Sequence, residues 1–236
     1  MPPRAILLDA LGTLVALEPP TARLVALLRE RHGVAVAEAD AKRALLAEMG
    51  YYRVNCIRAS DADALADLRL ECAALIGREL DLEQPAEELV ATLLDSIRFT
   101  PFPEVPGALA RLRAEGTRLV VASNWDVSLH DVLERTGLRA LLDGVVTSAE
   151  VGASKPDPAV FLAALDVAGV PAAEALHVGD SFVEDVEGAR AAGIEAVWLR
   201  RHYDGDAVAD VRLAASLDEL ATYPPTPPRR GPAGHG

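Results

Sequence analysis

Five short apolar runs, most of them closing on a polar residue or a loop, set the strongest constraint on how this chain folds. Ala5-Ile6-Leu7-Leu8 runs into Asp9 and then a Gly12-Thr13 turn, Arg118 to Ala122 into Ser123-Asn124, and Ala175 to Val178 into Gly179-Asp180. Gly144 to Thr147 and Glu195 to Leu199 complete the set. Unbroken apolar runs of this length mark strands buried on both faces, as in parallel sheets. Between them lie stretches of helical period with start and stop signals. These are Pro106 to Glu115, Asp126 to Thr136 closed by Gly137, a helix opened by Asp157-Pro158 and running to Ala168, and Glu184 to Ala192 closed by Gly193. Alternation at this spacing predicts an α/β fold, a three-layer α/β/α Rossmann-like parallel sheet with helices on both faces.

The alternation fails between about residues 21 and 99, where four amphipathic stretches (21–32, 39–52, 61–79 and 85–98) follow one another with no strand between them. The expected organisation is a core made of 1–16 and 100–223, a helical insertion over 17–99, and a disordered tail over 224–236, which is rich in Pro, Gly and Arg. Pro19-Pro20 and Thr100-Pro101-Phe102-Pro103 flank the insertion as extended linkers. With 236 residues, half of them apolar and a quarter charged, the chain has enough material for a substantial core. The apolar opening from Ala5 to Leu17 is interrupted by Asp9, which argues against a signal peptide, so a soluble, cytoplasmic protein is expected. Cys56 and Cys72 form neither a disulfide framework nor a metal cluster. A formal charge of −13 without any basic run disfavours nucleic acid and anionic membrane surfaces as partners. The expected assembly is a monomer or a homodimer.

Ligand crevices of open parallel sheets lie outside the carboxyl ends of the strands, and here those ends carry Asp9, Ser123-Asn124 and Asp180. Lys155 stands before a helix start, and Asp185 follows Asp180 closely enough to share the crevice. Lys155 and Lys42 are the only lysines among 23 basic residues, and a compact ammonium suits a packed acidic site. Three carboxylates there need more positive charge than one lysine carries. A hard divalent cation on oxygen ligands, Mg2+, resolves this, with Asp9 and Asp180 as direct ligands and Asp185 as a direct or water-mediated one. Asp9 would also be the nucleophile toward a phosphoryl group. The Gly12-Thr13 amides, the hydroxyls of Thr13 and Ser123, and Lys155 would hold the phosphoryl oxygens of a small phosphorylated substrate. Asn124 is grouped with them, with loop ordering as its plainer role. Asp126 and Asp157 are expected to cap helices, His177 to be a satisfied core histidine, Glu184 to be solvated and Trp125 to pack. Tyr51, Tyr52, Asn55 and Arg58 cluster between helices of the insertion.

Asp9-x-x-Gly12-Thr13, the strand ending in Ser123-Asn124, Lys155-Pro156, and Gly179-Asp180 with Asp185 together resemble the four ordered motifs of the haloacid dehalogenase-like (HAD) hydrolase superfamily. The resemblance covers about 1–16 and 100–200, with the helical insertion where subfamily I members carry a C1-type four-helix cap. Ser123-Asn124-Trp125-Asp126 and His177-Val178-Gly179-Asp180-Ser181 further resemble the branch of haloacid dehalogenase-like hydrolase domain-containing proteins. The resemblance implies a magnesium-dependent hydrolase acting through an aspartyl-phosphate.

One position departs from that pattern. Phosphatases of the superfamily usually carry a second aspartate two residues after the nucleophile, as acid to the leaving group, and this chain has Leu11. Acid–base groups contribute about 10² to 10⁴-fold in rate, so slow turnover of alkyl phosphates and a preference for acyl or aryl phosphates follow. Haloacid dehalogenases also lack the second aspartate, because halide leaves without a proton, but they lack the acidic pair of the fourth motif as well. Magnesium-dependent phosphoryl hydrolysis is therefore the first reading. A metal-independent 2-haloacid dehalogenase and a weak or inactive ligand-binding protein of the same fold are the alternatives.

Overall fold

A computed structural model describes residues 3–201 and 211–222 of the chain. The expected tail at 224–236 and the last residue of the expected core, 223, lie outside the described residues. The five apolar runs form β1 (Ala5–Leu8), β4 (Arg118–Ser123), β5 (Gly144–Thr147), β6 (Ala175–Gly179) and β7 (Glu195–Leu199). With the edge strand β8 (Arg212–Ala214) they make one six-stranded sheet in the order β5-β4-β1-β6-β7-β8, every pairing parallel. β1 lies between β4 and β6, with Leu8 opposite both Val121 and Val178.

Alternate residues of the central strands feed two separate cores, as the twofold strand period requires. Ile6, Leu8, Leu119, Val121, Leu176 and Val178 pack on one face with Leu109 of α5 (Val105–Ala114) and Leu133 of α6 (Leu129–Arg135). Ala5, Leu7, Val120 and Ala122 pack on the other with Phe161 of α8 (Pro158–Ala168) and Ala189 of the short α9 (Gly188–Ala191). The result is the expected α/β/α sandwich. A further short helix, α7 (Ser148–Val151), follows β5 and is held by a capping box between Thr147 and Glu150.

Two expected helices change shape. The helix predicted from Asp126 begins only at Leu129, because the Asp126 carboxylate accepts from Ser128 N at 2.7 Å and holds a turn first. The stretch predicted as one helix from Glu184 winds as a π-type turn over Phe182–Glu187 before α9. The wider turn is closed by Val186 N donating to Ser181 O.

The insertion folds as four helices, α1 (Thr21–His32), α2 (Glu38–Asn55), α3 (Ala62–Glu79) and α4 (Ala86–Ser96), around their own apolar cluster that includes Leu24, Leu28, Leu45, Leu68, Ile76 and Leu93. Its flanks are not simple extended linkers. Val15–Leu17 (β2) and Phe99–Pro101 (β3) pair as an antiparallel ribbon that ties the two ends of the insertion together. No described helix is long and apolar enough to cross a membrane.

Candidate active site

Because β4, β1 and β6 are adjacent and parallel, their carboxyl ends bring Ser123, Asp9 and Asp180 to one edge of the sheet. Lys155 comes from the loop before α8, and Asn124 fixes it there: Asn124 Oδ1 accepts from Lys155 N at 2.7 Å and Asn124 Nδ2 donates to Lys155 O at 2.9 Å. The second amide hydrogen of Asn124 faces Glu184 Oε2 at 3.3 Å. Both donors are therefore committed, and Asn124 orders the lysine loop rather than offering the substrate a donor.

Lys155 is 3% exposed and donates to Asp9 Oδ1 at 2.7 Å and to Asp185 Oδ1 at 2.6 Å. One ammonium hydrogen is left over. Ser123 Oγ donates to Asp9 Oδ1 at 3.0 Å, so one oxygen of Asp9 is held from two sides, whereas Oδ2 has no protein donor among the described residues. Asp185 Oδ1 also accepts from His177 Nε2 at 2.9 Å, and Asp185 Oδ2 accepts from Ser181 N at 2.9 Å. His177 is thus satisfied on one nitrogen only, since its buried Nδ1 has no partner. Gly179 makes the approach of Asp185 possible, because a Cβ there would lie 2.1 Å from Asp185 Cγ.

Electrostatics separate the three acids. Burial raises the Asp9 carboxyl; Lys155 offsets part of that rise and Asp185 adds to it. Burial acts the same way on Asp185, but Lys155 and His177 outweigh it and hold that group well below the usual carboxylate range. Asp180, the exposed member, is pushed up to about 6 by packing around it and then by the charges of Asp9 and Asp185. Burial disfavours the charged Lys155, yet its two carboxylate partners reverse the balance and hold it above the usual lysine value.

Oxygens of Asp9, Asp180 and Asp185 all lie within 4.8 Å of one another. Three carboxylates against one ammonium leave an excess of two negative charges, which a hard divalent cation balances, and every donor is an oxygen. The residues present fit magnesium. Asp185 has most of its lone pairs engaged by Lys155, His177 and Ser181 N, an arrangement that favours contact through water over direct ligation.

The backbone part of the expected phosphoryl cradle needs correction. Gly12 N donates to Val15 O at 2.9 Å and Thr13 N to Ala10 O at 3.3 Å, so neither amide is free. The amides beside Asp9 that lack an acceptor among the described residues are those of Ala10 and Leu11. Gly12 itself is required by its φ of +83° and by Asp180, whose Oδ2 would lie 2.2 Å from a Cβ at that position. Thr13 Oγ1 is buried with no hydrogen-bond partner, a hydroxyl left for a ligand or water.

Three residues that reach this site from the insertion or its neighbours carry no motif. Arg53 of α2 pairs with Glu184 Oε1 at 2.6 Å, which corrects the expectation that Glu184 is merely solvated. Tyr52 donates to the buried Asp126 Oδ2 at 2.9 Å, and Val127 N donates to Ala59 O, so the loop following Ser123-Asn124 is bonded to the insertion. Tyr51 and Arg58 instead converge on Glu71 of α3, and Asn55 bonds to Tyr51 O, which makes them braces within the insertion. Trp125 packs edge-on against Phe99 with centroids 4.9 Å apart, as expected of a packing residue.

Comparison with known proteins agrees with this geometry. The family described as haloacid dehalogenase-like hydrolase matches residues 3–193. Haloacid dehalogenase-like hydrolase domain-containing protein 3 of Bos taurus is 46% identical over 93 residues, 38% of this chain and 37% of that protein. The phosphoserine phosphatase of Thermus thermophilus is 37% identical over 135 residues, 56% of this chain and 54% of that protein. Matches of this kind span between 34% and 59% of the relatives' own lengths. Among solved structures, a HAD phosphatase from Thermococcus onnurineus is 27% identical with a TM-score of 0.62, covering 93% of this chain and 96% of that one.

Proposed function

The chain belongs to the haloacid dehalogenase-like hydrolase family, and on that premise we propose that it is a magnesium-dependent phosphatase of a small phosphorylated metabolite, working through an aspartyl-phosphate on Asp9. The observation that carries the reading is the excess of two negative charges among Asp9, Asp180, Asp185 and Lys155 within one crevice. A 2-haloacid turned over without metal would bring a further carboxylate to an uncompensated excess of negative charge, whereas magnesium cancels that excess before a phosphate ester binds. Phosphatases among the relatives support the same choice.

Asp9 and Asp180 would hold the metal directly and Asp185 through water; when bound, magnesium supplies positive charge to the non-bridging oxygens of the transferring group. Lys155 and Ser123 fix the plane of the Asp9 carboxylate. An Asp9 oxygen attacks phosphorus in line, the P–O bond to the leaving group breaks, and the leaving oxygen departs with the electron pair. The remaining Lys155 hydrogen, the Thr13 hydroxyl and the Ala10 and Leu11 amides are the donors available to the phosphoryl oxygens, the Ser123 hydroxyl being engaged by Asp9. Water then attacks phosphorus, the bond to Asp9 breaks, and phosphate and a proton are released. Helices α1–α4 act as a lid that excludes water during the first step.

Leu11 carries no proton for the leaving oxygen and is 45% exposed. Leaving groups stable as anions, aryl and acyl, suit this site. Leu11 also supports the dehalogenase reading, since halide needs no proton, as does a haloacetate dehalogenase of Moraxella that is 33% identical over 107 residues. The test offers purified protein an aryl phosphate, an alkyl phosphate and a 2-haloacid, each with magnesium or with chelator. Magnesium-dependent phosphate release, faster from the aryl ester, is expected. Halide release indifferent to chelator would replace this reading with the dehalogenase, and no release of either would make the chain a binding protein.

A further inference from the structure

Arg201 stands two residues beyond the end of β7 and outside the residues matched to the family. β6 lies between its strand and β1, yet its guanidinium engages the loop after Asp9. Nε donates to Gly12 O at 3.1 Å and Nη2 to Thr13 O at 2.5 Å. Nη1 is anchored by Glu104, and Cζ lies 3.6 Å from the centroid of the Phe102 ring. The side chain is only 13% exposed.

These contacts dictate the direction of two peptide planes, and through them a third, because a trans peptide points its C=O and the following N–H to opposite sides. With the carbonyls of Gly12 and Thr13 turned to Arg201, the N–H groups of Thr13 and Leu14 turn away from it. Both donate to Ala10 O, at 3.3 and 2.8 Å, and Val15 N joins them at 3.0 Å. Ala10 O held by three donors turns the other end of its own peptide, Leu11 N–H, away from the loop interior, where it has no acceptor among the described residues.

We propose that Arg201 is the positioning residue of the phosphoryl cradle: its fork on Gly12 and Thr13 sets the loop so that Leu11 N–H faces the group transferred to Asp9. This rests on the phosphatase reading. A planar fork with several donors is needed for two carbonyls, a carboxylate and a ring face at once, and a lysine cannot replace it.

The test compares wild type, Arg201→Ala and Arg201→Lys on p-nitrophenyl phosphate with magnesium, alongside amide hydrogen exchange of the segment 10–15. Arg201→Lys keeps a long aliphatic stem and the positive charge and serves where the alanine variant does not fold. Both variants are expected to lose at least about tenfold in kcat, on the scale of a misplaced oxyanion donor, with KM changing less. Both are expected to exchange faster over 10–15, and low-millimolar guanidinium chloride to restore Arg201→Ala while equimolar urea does not. Wild-type kcat in Arg201→Lys, or unchanged exchange over 10–15, would overturn the proposal. Absence of phosphate release in wild type would remove the phosphatase reading instead, and exchange over 10–15 would then decide the role of Arg201 alone.

Discussion

Lys155 is bonded to two buried carboxylates at once, and the consequences of removing it are correspondingly specific. In Lys155→Met, Asp9 and Asp185 face each other without a counter-charge, so a loss of about 3–5 kcal/mol in unfolding free energy is expected at neutral pH without metal. The sign of the pH dependence follows from Asp185, which Lys155 and His177 hold below its ordinary range. That stabilisation is present above the ordinary carboxylate pKa and is lost as pH falls through the depressed value. The difference between variant and wild type is therefore expected to shrink in acid, and urea denaturation at a series of pH values checks it. Leu11 allows the converse experiment. If the machinery around Asp9 is otherwise complete, Leu11→Asp is expected to raise alkyl phosphate turnover by up to about 10² to 10⁴-fold and aryl phosphate turnover much less, measured as kcat on both esters. Equal gains on both would remove leaving-group protonation as the missing function.

At the scale of elements, α2 is linked to the loop after β4 by a part-buried hydrogen bond from Tyr52 to the buried Asp126 carboxylate. Bonds to charged groups contribute about 1.5–3 kcal/mol, and Tyr52→Phe is expected to lower stability by that amount, read from the denaturant midpoint. An unchanged midpoint would mean that this bond contributes nothing to seating the insertion. This link also shows where sequence legibility stopped. The five central strands were readable because burial on both faces makes them continuous apolar runs, and four of the residues gathered in the crevice were readable because they stand at or just beyond the ends of those runs or, for Lys155, before a proline-marked helix start. Asp126 was readable only as a cap, since its second partner lies 74 positions earlier in the chain. Glu184 looked solvated for the same reason: Arg53 lies 131 positions away. Arg201 was hidden among many arginines, and neither β2 nor β3, three residues each and one ending in proline, carries a strand pattern. The helix predicted over 184–192 opens as a wider turn, within which Asp185 meets Lys155, His177 and Ser181 N, and periodicity contains nothing of that demand.

For the whole molecule, two separately packed bodies of apolar side chains, the sandwich and the four-helix insertion, meet beside one acidic crevice. A sheet edge supplies the carboxylates, a loop held by Asn124 supplies the ammonium, and the insertion approaches through Tyr52 and Arg53. On the proposed function, this assembly transfers a phosphoryl group to Asp9. Rapid acid quench of wild type with an aryl phosphate and magnesium, followed by mass spectrometry of the peptide containing Asp9, tests it most directly. Transient phosphorylation of Asp9 is expected, with both phosphorylation and phosphate release abolished in Asp9→Asn. Steady phosphate release with Asp9 unmodified throughout, or retained in Asp9→Asn, would contradict it.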